Sequence, residues 1–165
     1  MKKKKDFIES NILIGELKTE EIEFTINMVK NVFKEYVGKD YSEEGNKEFL
    51  DFLLSNKMKD RLRNNLNKTF VAKYNSEIIG LLEIKNYDHI SLFFMKKEFQ
   101  GKGIGRNLFE YYLREIKQKN CDIRTISVNS SICAEKIYIK LGFKKINEIQ
   151  EKNGIKYIPM EYKIL

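Results

Sequence analysis

Apolar residues follow two rhythms along this chain. Ile22, Ile26, Val29, Phe33 and Val37 recur every three or four residues, which is one face of a helix. Thr19 stands where an N-cap belongs, with Glu20 and Glu21 in the first turn, where the helix dipole favours negative charge. Ile12-Leu13-Ile14 ahead of it reads as a short strand. The stretch 38–46 (GKDYSEEGN) breaks the period, and Ser42 then caps a second helix carrying Phe49, Phe52 and Leu53. A short third helix is expected around Met58–Leu66. After that the period shortens. Residues 69–74 and 78–86 form a hairpin about Asn75-Ser76-Glu77. Residues 89–95 (HISLFFM) are the most apolar stretch and read as a central strand with both faces covered. A helix from about Ile104 to Gln118 presents Ile104, Leu108, Tyr112 and Ile116. Residues 123–128 form a strand. Ser130 or Ser131 caps a helix through Leu141, with Gly142 at its C′ position. The segments 143–150 and 155–164 close a hairpin at Lys152-Asn153-Gly154. Pro159 places the last strand at an edge or a bulge.

Hairpins mixed with strand–helix–strand crossovers give an α+β fold, expected as a single domain over residues 1–165. That length buries a sizeable core without disulfides or a structural metal. Cys121 and Cys133 lack CxxC spacing and His89 is the one histidine, so a four-ligand zinc site cannot be built from Cys and His, and no metal is expected. Two unpaired thiols fit a reducing compartment. No apolar run follows the basic start, and none approaches a membrane span of roughly 18 residues. The expectation is a cytoplasmic protein with no membrane partner. The net charge is +7, yet residues 1–6 carry +3 and residues 96–106 another +3. Residues 1–10 read as a flexible basic tail. A nucleic-acid binder would show a broad basic face, so no nucleic-acid partner is expected.

The second basic cluster surrounds a glycine turn, Gln100-Gly101-Lys102-Gly103-Ile104-Gly105-Arg106, between a strand and a helix. Glycines there let main-chain N–H groups approach a ligand, and the helix start adds its own N–H groups and positive dipole end. Such a nest suits a diphosphate. The dinucleotide GxGxxG pattern fails, because position 106 is Arg, and a P-loop has neither the spacing nor the residues.

Gln100-x-x-Gly103-x-Gly105 resembles the Gln/Arg-x-x-Gly-x-Gly/Ala segment of GCN5-related N-acetyltransferases. Val128-Asn129-Ser130-Ser131, Ala134, Tyr138 and Leu141-Gly142-Phe143 resemble that family's second block, in the right order and one helix plus one strand away. The likeness covers about residues 69–163. It implies a mixed, mostly antiparallel sheet flanked by helices, with two parallel strands splaying to form an acetyl-CoA cleft. It also implies that N–H groups of Gln100, Gly101, Lys102, Gly103, Ile104, Gly105 and Arg106 cradle the diphosphate of acetyl-CoA. Phe94 and Met95 would lie on the bulged strand that pairs with the pantetheine arm. Asn129 and Ser131 would lie beside that arm. Lys96, Lys97 or Lys102 would reach the 3′-phosphate.

Tyr138 matches the tyrosine that often protonates the departing thiolate. The same residue also reads as a core aromatic. The acceptor ammonium must lose a proton before attack. Glu83, on an apolar strand that raises a carboxyl pKa, and His89, which titrates near neutrality, are the candidate bases. Either also reads as structural. Cys133, in a first helical turn, would permit an acetyl-cysteine route, but the resemblance implies direct transfer in a ternary complex. The activity implied is acetyl transfer to a primary amine of a small molecule or peptide. The same pocket without an acceptor site would be a non-catalytic acyl-CoA sensor. The sequence leaves oligomeric state open, a homodimer included.

Overall fold

The computed structural model describes residues 11–119 and 122–164. The tail expected over residues 1–10 and the Cys121 thiol lie outside them. The chain runs β1 (Ile12–Glu16), α1 (Ile22–Val32), α2 (Glu43–Phe52), α3 (Ser55–Arg63), β2 (Lys68–Tyr74), β3 (Glu77–Lys85), β4 (His89–Met95), α4 (Ile104–Gln118), β5 (Thr125–Ser130), α5 (Glu135–Leu141), β6 (Lys144–Lys145), β7 (Gln150–Lys152) and β8 (Ile155–Lys163). The strands form one sheet in the order β1-β2-β3-β4-β5-β8-β6, with β7 also on β8. Among the described residues only β4 and β5 pair in parallel. A parallel pair needs a crossover, and α4 supplies it. This is the mixed, mostly antiparallel sheet flanked by helices that the resemblance implied.

Two apolar layers hold the sheet. On one face, Ile104, Leu108, Phe109, Tyr112 and Ile116 of α4 pack on Phe70, Leu82 and Ile84. The opposite face carries Val71, Leu81 and Leu92 against Ile26 and Val29 of α1, Leu53 beyond α2 and Met58 of α3. Each such side chain contributes about 1.5–3 kcal/mol by leaving water. β4 serves both layers, because a bulge interrupts its pairing with β3: Glu83 faces Leu92, but Ile84 faces Ile90. Ser91 is the extra residue. It lets Ile90 join the α4 layer while Leu92 joins the other, where strict alternation would put both on one face.

Several details depart from the sequence reading. The third helix runs Ser55–Arg63 and not Met58–Leu66, and within 143–150 only Lys144–Lys145 and Gln150 are strand. The first helix starts one residue earlier, with Lys18 rather than Thr19 at the N-cap of a 3₁₀ turn. Beyond Val32 it widens into a π turn over Phe33–Val37, which keeps Phe33 and Val37 buried. β5 is shifted to 125–130, because Asn129 and Ser130 pair with Pro159 and Ile158. β8 is not an edge strand. Pro159 is tolerated inside the sheet because its carbonyl accepts from Ile146 N at 3.0 Å. Its N therefore faces the β6 side, away from β5. Ser42, as expected, caps α2, its Oγ accepting from Gly45 N at 3.1 Å.

Candidate active site

β4 and β5 part company soon after they meet. Their register holds at His89–Ser127 and Ile90–Val128 and goes no further. From Ser91 to Met95 the β5-facing edge of β4 borders a gap. Lys96 N donates to Ile79 O at 2.8 Å, toward β3. Strand alternation therefore turns the Met95 N–H to the other edge, into the gap. The Met95 carbonyl, on that same edge, accepts from Gln100 Nε2 at 2.9 Å. So the Gln100 side chain ties the glycine turn to the end of β4.

The turn itself has the backbone its glycines permit. Gly101 has φ +71° and Gly103 φ +84°, both left-handed. The Gln100 N–H is taken up inside the turn by Lys97 O at 3.2 Å. The first bond of α4 runs from Asn107 N to Gly103 O at 3.0 Å, so the N–H groups of residues 103–106 have no intrahelical acceptor. Among the described residues none accepts from Gly101 or Lys102 N–H either. A run of main-chain donors thus opens at the mouth of the gap. Gly105 is not glycine for the fold's sake: a Cβ there would meet Phe93 Cζ at 3.6 Å, an ordinary contact.

The cations around the turn are unequal. Lys96 is paired with Glu77, and Lys97 with Glu35 at 2.6 Å. Lys102 donates to Glu98 O, and Arg106 Nη2 to Lys140 O at 2.5 Å. Among the described residues no carboxylate pairs with Lys102 or Arg106, at the turn and the helix start.

Tyr138 of α5 is buried in the apolar layer on the α4 side of the sheet. Its ring meets Phe93 of β4 at 6.2 Å and Phe143 at 5.2 Å, edge to face. Burial pushes its phenol up, so it stays protonated through the neutral range. Asn129 is exposed at the far end of β5, and Ser131 follows it, with its Oγ 3.4 Å from Cys133 Sγ. Gln100 joins the turn to Met95, Tyr138 packs on Phe93 of the same strand, and Asn129 and Ser131 lie at the end of β5 and just after it. Phe94 points to the other face, where Phe49, Phe33 and Tyr41 continue it as a chain of rings at 5.9, 4.0 and 5.5 Å. Burial first, then the Cys133 thiol and Asp40 carboxylate, push the Tyr41 phenol up to about 12.

His89 is not brought to the gap. It sits at the paired end of β4, six residues and ~20 Å of strand from Met95. Its Nδ1 lies 2.8 Å from Ser127 Oγ, which donates to Asp88 O at 3.2 Å, so the imidazole N–H is the donor. It closes a turn and lies outside the gap. Glu83 is buried at 1% exposure on the face of α1–α3. Burial raises its carboxyl, and Arg61, with Nε 2.8 Å from Oε1, opposes that rise. Arg61 was not visible in the sequence as a site residue. Two surface concavities, about 460 Å³ beside β1 and about 380 Å³ over α1 and α2, lie elsewhere. Among the described residues no helix is long and apolar enough to cross a membrane.

The family model described as an acetyltransferase (GNAT) domain matches residues 37–164. Solved structures share the fold. The PaiA N-acetyltransferase of Thermoplasma acidophilum, in complex with coenzyme A, is 22% identical over 93% of this chain and 99% of its own, with TM-score 0.78. A GCN5-related N-acetyltransferase of Rhodopseudomonas palustris is 18% identical over 92% and 95%, with TM-score 0.77. Spermidine N-acetyltransferase of Vibrio cholerae, in complex with CoA and spermine, is 17% identical over 93% and 96%, with TM-score 0.65.

Proposed function

Because the chain belongs to the GNAT family of acetyltransferases, we propose that it moves an acetyl group from acetyl-CoA to a primary amine of a small molecule or peptide, by direct attack with both substrates bound. The observation that carries this is the set of outward main-chain N–H groups over residues 101–106, opening onto the gap between β4 and β5. The fit is chemical. A diphosphate needs several donors and positive charge at close range, and the turn, the α4 N-terminus, Lys102 and Arg106 offer both. The gap continues past the turn as an open strand edge, which suits an amide-bearing arm.

When bound, acetyl-CoA supplies an electrophilic thioester carbonyl and a thiolate leaving group. The chain's own residues do the rest. The Met95 N–H is the donor for the carbonyl oxygen, a fixed dipole aimed where negative charge develops. Tyr138 Oη gives its proton to the departing sulfur. Glu83 takes the proton that the acceptor ammonium must lose. Asn129 and Ser131 flank the arm. Spermine accompanies CoA in the Vibrio cholerae structure. Here the wall on the α1–α2 side is aromatic (Phe94, Phe49, Tyr41), so an acceptor with apolar surface next to its amine fits at least as well as a polyamine.

The test pairs calorimetry with a thiol-release assay across amines of both kinds. Saturable coenzyme A binding and amine-dependent thiol release are expected. Binding without release for any amine would make the chain an acyl-CoA sensor. Absence of coenzyme binding would remove the reading altogether.

A further inference from the structure

Among the described residues, three buried polar atoms of neighbours have no hydrogen-bond partner: Arg61 Nη2, Glu83 Oε2 and Thr69 Oγ1. The guanidinium is otherwise held by two hydrogen bonds and a ring. Its Nε donates to Glu83 Oε1 at 2.8 Å and its Nη1 to Phe52 O at 2.8 Å. Its central carbon stacks 3.8 Å from the Phe52 ring centre. Nε and Nη2 share the edge that an arginine presents to a carboxylate in a two-bond fork. Here that fork is closed on one side and open on the other. Leaving a buried donor and a buried acceptor unmade is costly, whereas a small polar guest between them removes the cost. Thr69 is the cross-strand partner of Glu83 in the β2–β3 register, which brings its hydroxyl to the same spot. A donor, an acceptor and a hydroxyl meet the two to four polar partners that a buried water requires.

We propose that Arg61 is a positioning residue for Glu83: it grips Oε1, leaves Oε2 free, and with Thr69 holds a water that relays the acceptor's proton to Oε2. The proposal rests on the acetyltransferase reading above. The step balances. An N–H bond of the acceptor ammonium breaks and its proton joins the water. The water passes one of its own protons to Oε2, where an O–H bond forms. The amine keeps its electron pair, and the Arg61–Glu83 pair goes from neutral to +1. Arg61 is the charged group that faces Glu83. The other side chains packed on that face from β2, β3, β4, α1 and α3 (Val71, Leu81, Leu92, Val29, Met58), and Leu53 beyond α2, are apolar.

The experiment compares Glu83→Gln, Arg61→Met, Arg61→Lys and the double variant Arg61→Met/Glu83→Gln by the pH profile of kcat/KM. A base must be ionised, so activity falls as pH drops through its pKa. Removing the cation raises that pKa, and Arg61→Met is expected to move the acid limb to higher pH by about one unit or more. Arg61→Lys keeps the charge and should return most of that shift. Glu83→Gln should lower kcat about 10²-fold or more and abolish the limb. The double variant leaves no buried charge and should fold as the parent does, yet stay as slow as Glu83→Gln. A folded double variant with parental kcat and acid limb would overturn the proposal, because the pair would then only pack. So would an Arg61→Met limb that does not move. Coenzyme affinity should be unchanged in all four. If the parent itself fails to bind coenzyme, the acetyltransferase reading fails instead.

Discussion

The two sides of β4 are built from different materials. In the proposed reaction the working groups of the donor side are mostly main-chain N–H groups, presented by a glycine turn, a helix start and an unpaired strand edge, with the Tyr138 side chain as proton donor. On the acceptor side they are side chains, drawn from α1–α3 and β3 and set against rings and a buried ion pair. A backbone site depends on a few local φ values and tolerates most side-chain change. A side-chain site depends on packing between segments far apart in the chain. Coenzyme binding on the donor side should therefore be broken by single glycine changes, proton delivery there by loss of the Tyr138 hydroxyl, and the acceptor side by changes that disturb charge or proton transfer.

The sharpest break is Gly103→Val. Gly103 sits at φ +84°, where a β-branched residue is strained, so the turn must shift to take one. Losing two charge-assisted hydrogen bonds of about 1.5–3 kcal/mol each weakens coenzyme A binding about 10³-fold. Calorimetry should show this while circular dichroism shows the fold intact. Next is Tyr138→Phe, which removes a proton donor and leaves the ring against Phe93 and Phe143. It should lower kcat about 10²-fold with coenzyme affinity nearly unchanged. Unchanged turnover would take Tyr138 out of the mechanism. A milder change is Gly105→Ala, since the fold has room for a methyl group there. Thermal stability should be unchanged, and any loss of affinity, expected below about tenfold (1.4 kcal/mol), would then report a ligand at that Cβ.

The smallest effect concerns His89. Burial lowers its pKa below the usual 6.5, with Asp88 opposing and Lys85 adding to the fall. A buried neutral imidazole contributes stability that is present above the unfolded pKa and lost as pH falls through the folded one. His89→Gln should flatten the decline of Tm between about pH 6.5 and 5 and leave kcat unchanged, because His89 lies at the paired end of β4. A fall in kcat would return it to the candidate bases.

This contrast also explains what could be read from the chain alone. The glycine turn is local: its spacing, its flanking strand and helix and its basic residues occupy one short stretch, and the structure sets them as that stretch implies. Arg61 was hidden in a polar run that reads as a solvated helix face. Only the packing of α3 on β3 brings it to Glu83, 22 positions away. The parting of β4 and β5 was expected, and so was a bulge on β4, but its place at Ser91, ahead of Phe94 and Met95, was not, because it answers a need of two cores that alternation along one strand does not reveal. Pro159 misled for a similar reason. Its missing donor matters only on the side it faces, and neighbours far off in sequence decide which side that is.

The account stands on the main-chain N–H groups of residues 101–106, and backbone ¹H–¹⁵N resonances report on them directly. On titration with coenzyme A, the resonances of Gly101–Arg106 and Met95 should shift together and saturate, while those of His89 and Ser127 stay in place. If coenzyme binds and those resonances do not move, or if the largest shifts fall on Leu13–Lys18 beside β1, the donor does not dock where this structure offers it a place.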